Sequence, residues 1–120
     1  MSNPVNVIRV DTLNEKMQEF ELVKNTILYC LQFQGETPKD FIFKKYVEVQ
    51  NSVLVARYLN DNGHTIQGRK YISNDIGDMV KKADESKPLE RLAKALYQYN
   101  KSKITWKSVV KVCMDIKALQ

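Results

Sequence analysis

The chain has 120 residues, 43% of them hydrophobic and 28% charged, with 19 Lys+Arg against 14 Asp+Glu for a formal charge of +5. That length carries one modest core, which excludes two independent domains or a large cofactor-enclosing enzyme fold. Four Gly and three Pro exclude collagen-like and disordered classes. The longest apolar runs, Ile27–Leu31 and Val53–Ala56, fall far below the ~18 residues of a membrane span, and Met1–Val10 has no signal-peptide core. A cytoplasmic protein without a membrane partner is expected.

In chain order, residues 1 to 10, with Pro4 and the apolar Val5, Val7, Ile8 and Val10, read as an extended arm. Asp11 or Thr12 is then expected to cap a long helix. Leu13, Met17, Phe20, Val23, Ile27, Leu28 and Leu31 recur along it at helical spacing, and Gly35 ends it. A helix of that length exceeds what a lone small domain needs. The stripe Leu13–Leu31 therefore points to a homodimer seam.

Thr37-Pro38 opens a short second helix as cap and first helical residue, with Val47-Glu48-Val49 readable as helix or strand. Ser52 is expected to cap the next, which ends at Asn60-Asp61-Asn62-Gly63, where Gly63 can take the left-handed conformation. His64–Ile72 has no helical period. Its Gln67-Gly68-Arg69-Lys70 sequence allows a small β-hairpin wing near residues 64 to 72, or an extended loop. Ser73 caps a helix from Asn74 to Lys82, Ser86 with Pro88 opens another, and Thr105 caps a last helix whose apolar face is Trp106, Val109, Val110, Cys113 and Ile116. The expected class is a mainly α single domain, residues 1 to 120, containing helix-turn-helix units.

Two stretches have that grammar: Val53–Asn62 to Ser73–Lys82, and Leu89–Tyr99 to Thr105–Leu119. In the first, Val55-Ala56, Leu59-Asn60, Gly63, Thr65, Gly68, Arg69-Lys70-Tyr71, Ser73 and Ile76 resemble the helix-turn-helix segment that follows the catalytic domain of large serine recombinases. The resemblance covers residues 53 to 80. No recombinase catalytic domain fits upstream, so it implies a mobile-element type of DNA-binding module and not a recombinase.

The charge is lopsided. Residues 1 to 60 are neutral, residues 61 to 120 carry the whole +5, and from Lys87 onward eight basic residues face only Glu90 and Asp115. Such asymmetry suggests a polyanion, because each cation on a phosphate releases a condensed counterion. Asp75 and Asp78 near the start of the 74–82 helix would repel phosphate there, so the last helix is the expected major-groove reader. Thr105, Lys107, Ser108 and Lys111 would face bases or backbone, Lys101 and Lys103 would grip the backbone, and Gln67, Arg69 and Lys70 would act as a wing. Duplex DNA is the expected partner of this small regulator or accessory protein. Tyr97 and Tyr99 among Lys94, Lys101 and Lys103 keep RNA or single strands open, and an acidic protein partner is the other reading.

Nothing in the sequence composes a catalytic set. His64 is the one histidine, Cys30 and Cys113 lie in apolar settings that suit buried thiols, and the glycines at 35, 63, 68 and 77 stand alone. No metal site, cofactor or enzymatic activity is expected.

Overall fold

The apolar periodicities resolve into six helices: α1 (Val10–Leu31), α2 (Pro38–Val49), α3 (Ser52–Asp61), α4 (Ser73–Lys81), α5 (Pro88–Asn100) and α6 (Trp106–Ala118). They come from a computed structural model that describes residues 8–35 and 37–120. The fold is mainly α, with no strand among the described residues. Most of the proposed N-terminal arm, residues 1 to 7, lies outside them.

The α5 helix sits at the centre, touching α1, α2, α4 and α6. Its buried side chains are Leu89, Leu92, Ala93, Ala95 and Leu96, and the two alanines let neighbouring helices approach closely. Phe43 and Tyr46 of α2, Val55 and Leu59 of α3, Ile76 and Val80 of α4, and Val109, Cys113 and Ile116 of α6 complete one continuous core. Each large apolar side chain taken from water contributes about 1.5–3 kcal/mol. One charge lies inside it. Glu90 is 1% exposed; its Oε1 accepts the Asp84 N–H at 2.9 Å and faces Lys39 Nζ of α2 at 3.3 Å, with Lys87 Nζ 3.8 Å from Oε2.

Several helix starts differ from the sequence reading. The α1 helix begins before Asp11, with Arg9 as N-cap and no side-chain cap; Asp11 instead lies in the first turn, where its carboxylate suits the positive helix end. It ends at Leu31, ahead of Gly35. Asn51, not Ser52, caps α3, its Oδ1 accepting from the Leu54 N–H at 3.1 Å. The α4 helix starts without a side-chain cap at Ile72; the Asp75 carboxylate takes the Ile72 N–H at 2.8 Å, so Ser73 is the first helical residue. Lys87 is the N-cap of α5, and Ser86 instead bonds Asp84. Thr37 forms a capping box with Asp40 and Thr105 accepts from the Ser108 N–H, as their sequences indicate. Val47–Val49 continues α2.

The 62–72 connection is tight without being a wing of strands. Gly63 has φ 79°, and the bonds from Gly63 N–H to Asn60 O and from His64 N–H to Leu59 O close a Schellman motif. Gln67 (φ 50°) and Gly68 (φ 77°) form a two-residue turn closed by reciprocal bonds between Ile66 and Arg69. The ladder goes no further, because the Asn60 side chain takes both backbone groups of Tyr71, at 2.7 and 2.9 Å. That clamp draws the chain back to α3.

The α1 stripe is divided between two uses. From Leu22 on most of it faces the core: Val23, Thr26 and Cys30 are buried, with Leu22, Ile27 and Leu31 packed against the cluster, while Leu28 stays exposed. Leu13–Leu31 therefore cannot serve as one dimer seam throughout. In the first half of α1 the outward apolar positions are Val10, Leu13, Met17 and Phe20, each between 48% and 74% exposed.

Candidate nucleic-acid interface

The C-terminal basic excess separates into paired and unpaired halves. Arg91 bonds Asp115 at 2.8 Å, Lys94 reaches Glu85 at 3.5 Å and Lys87 lies beside Glu90. Lys101, Lys103, Lys107, Lys111 and Lys117 have no carboxylate within 4 Å among the described residues. The free cations therefore begin at the α5–α6 turn.

The geometry of that turn follows from its residues. The α5 helix ends in a second Schellman motif, Ser102 N–H to Tyr99 O at 3.0 Å and Lys103 N–H to Gln98 O at 2.8 Å. Here the left-handed residue is Ser102, at φ 59°, where glycine is usual. Lys101 and Lys103 flank it and are exposed.

Both lysines line a cavity of about 480 Å³ between α4 and α5, together with Lys81 and Lys94. No carboxylate lines it; the nearest paired acid is Glu85, which holds Lys94 and is itself well exposed. Asn74, Tyr97 and Gln98 supply the remaining polar lining. One lining residue, Tyr97, packs against a glycine. Gly77 lies within α4, and a Cβ there would stand 2.8 Å from the Tyr97 hydroxyl. Lys101 Nζ lies 5.6 Å from the centre of the Tyr97 ring, and Tyr46 packs against that ring at 5.9 Å. Sequence reasoning placed Tyr97 among Lys94, Lys101 and Lys103 but missed Lys81 and Asn74 of α4 as their companions. A glycine in mid-helix, which costs ~1 kcal/mol against alanine, was the available signal.

The α6 candidates lie elsewhere. Lys107, Ser108 and Lys111 are exposed on the side of α6 away from Val109, Cys113 and Ile116. Thr105 and Ser108 are partly occupied by their own cap, with the two hydroxyls 3.3 Å apart. Trp106 is half-buried between Phe20 and Tyr99, and its indole N–H donates to Glu19 Oε1 at 2.9 Å. That hydrogen bond, with Lys16 and Lys107 nearby, holds the Glu19 carboxyl below its ordinary pKa. The acid of α1 thus sits beside Lys107 and leaves Lys111 the less screened of the two.

The 67–70 tip is not a free cationic wing. Arg69 forms a two-pronged bond with Asp75, at 2.7 and 2.9 Å, and also donates to Lys70 O. Arg69 and the Ile72 N–H hold the Asp75 carboxyl down to about 2. Gln67 and Lys70 are exposed, and Lys70 lines a separate cleft with Arg57 at the foot of α3. The structure therefore brings Lys101 and Lys103 together, sets Lys107 and Lys111 on another face, and ties Arg69 into the start of α4.

No group of three His, Cys, Asp or Glu side chains is placed to hold a metal ion among the described residues. Cys30 and Cys113 are buried free thiols, and burial pushes Cys30 up to about 11. No described helix is long and apolar enough to cross a membrane. Compared with known proteins, the chain matches no family, no curated protein and no solved structure.

Proposed function

We propose that the chain is a duplex-DNA-binding module of the helix-turn-helix type, built on α5, the 101–105 turn and α6. The observation that carries this reading is the acid-free lysine cavity opening at that turn, with further unpaired lysines following in α6. Phosphates would be held by Lys101 and Lys103, and base edges read from the exposed side of α6 by Lys107 and Lys111. The serine-recombinase resemblance of residues 53 to 80 agrees in class, but its Arg69 supports α4 and leaves only Gln67 and Lys70 as contacts from the tip. Action is by occupancy, with no bond made or broken. Two copies would join through the outward seam of α1, Val10, Leu13, Met17 and Phe20, so that two modules meet two half-sites.

The test is an electrophoretic shift with unrelated duplex DNA, single-stranded DNA and RNA at two salt concentrations. Binding of duplex at low salt, weakened by salt and by the pair Lys107→Glu with Lys111→Glu at unchanged thermal stability, is the expected result. No duplex binding at low salt overturns the reading and leaves the basic face to an acidic protein partner. Stronger binding of single strands than of duplex would move the site to the Tyr97 and Tyr99 side of α5.

A further inference from the structure

We infer that the cavity between α4 and α5 is a phosphate pocket in which the Tyr97 hydroxyl donates a hydrogen bond to a phosphate oxygen and Lys81, Lys94, Lys101 and Lys103 neutralise its charge. The inference rests on the polyanion reading above and specifies the chemistry at one end of that surface. Three independent features meet at this place.

The first is electrostatic. Lys81 on α4 and Lys94 and Lys101 on α5 stand around one concavity with Lys103 of the following turn, and no carboxylate lines it. Like charges gathered in one place repel one another, so the grouping destabilises the empty fold and is relieved by an anion. Lys94 has Glu85 as an outer partner at 3.5 Å, which leaves the other three unneutralised by described residues.

The second is steric. Positions 74, 77 and 81 fall on one side of α4, and 94, 97 or 98, and 101 on one side of α5, at the spacing that lines helix faces along a shared groove. Each set spans seven residues, or about 10 Å of helix. The cationic groups thus lie at both ends and the small Gly77 in the middle. A methyl group at 77 would push on the Tyr97 oxygen, whose ring is already backed by Tyr46. Glycine is poorly suited to a helix interior, and its place here leaves the Tyr97 hydroxyl room.

The third is hydrogen bonding. Tyr97 lines the cavity, and its hydroxyl has no hydrogen-bond partner among the described residues, nor is it sealed from solvent. Beside it, Asn74 and Gln98 bring side-chain amides as further donors. A neutral donor set inside a ring of cations matches the phosphate group, which offers several acceptor oxygens on one centre. The phosphate can come from a nucleic-acid backbone or from a free polyphosphate.

The experiment is calorimetric titration of the full chain with inorganic tripolyphosphate and, separately, with duplex DNA in the presence and absence of saturating tripolyphosphate. The wild-type chain is expected to bind tripolyphosphate, with affinity about tenfold lower in Tyr97→Phe, which keeps the ring and removes only the donor. Gly77→Ala, which displaces that oxygen, is expected to fall similarly, and Lys81→Glu with Lys101→Glu to abolish binding. Competition between tripolyphosphate and duplex identifies the backbone as the source. Undisturbed duplex binding beside bound tripolyphosphate identifies a free polyphosphate. Equal tripolyphosphate affinity in wild type and Tyr97→Phe, or none in wild type, overturns the pocket even if duplex still binds elsewhere. Loss of duplex binding alone, with the pocket titrating as described, would instead count against the DNA reading. Should Gly77→Ala fail to fold, Tyr97→Phe alone decides the matter.

Discussion

Arg69 illustrates how one residue's job can change between sequence and fold. Beside Lys70 and Gly68 it reads as a cation offered to phosphate, whereas its guanidinium is closed on Asp75 and braces the start of α4. Because folding lowers the Asp75 carboxyl pKa, this pair stabilises the fold at neutral pH and down to the group's ordinary value near 3.8, and the contribution is lost as pH falls through about 2. Asp75→Asn should therefore lower the unfolding midpoint at pH 7, and the gap from wild type should close between pH 4 and pH 2. A gap that does not depend on pH would mean that the ion pair is not what the substitution removes. The burial of Glu90 escaped the sequence reading, since its chain neighbours Leu89 and Arg91 do not disclose that α2 brings Lys39 against it.

At the level of helices, existence and type were legible and ends were less so. Periodicity placed all six helices, and Thr37, Gly63 and Thr105 act at their ends as their chemistry indicates. Asn51 and Ile72 displaced Ser52 and Ser73 as N-caps by one residue, and α5 opens with Lys87 as N-cap in place of Ser86; Ile72 and Lys87 make no side-chain cap, so only backbone angles mark them. The α5 ending had no glycine to mark it, because Ser102 takes the left-handed position. An L-residue there costs roughly 1 kcal/mol, so Ser102→Gly should raise unfolding free energy by about 0.5–1 kcal/mol in urea titration while Lys101 and Lys103 keep their places. Half of the candidate site was legible as lysines near the carboxyl end. The other half comes from α4, and only packing could bring Lys81 and Gly77 to Tyr97.

For the whole molecule, the division of α1 matters most. Its second half belongs to the core, and its first half presents four apolar side chains at alternating three- and four-residue steps. That spacing is the one that seats side chains between paired helices. Leu13→Lys with Met17→Lys should yield a monomer in sedimentation with the helical signal retained, whereas the parent chain is expected to sediment as a dimer. A parent chain that sediments as a monomer at all concentrations would remove the two-half-site arrangement without touching the basic surface. Engagement of four lysines per module should reduce duplex affinity on the order of a hundredfold between 50 and 200 mM salt.

Cys30 and Cys113 are buried in α1 and α6, 2% and 0% exposed, and burial pushes Cys30 up to about 11. Cys113 has no exposed surface, so a thiol-directed reagent, which attacks only the thiolate, is expected to reach it when the helices part. The speed at which label accumulates is therefore a clock for the parting of those two helices, installed by the chain itself and readable without any added dye.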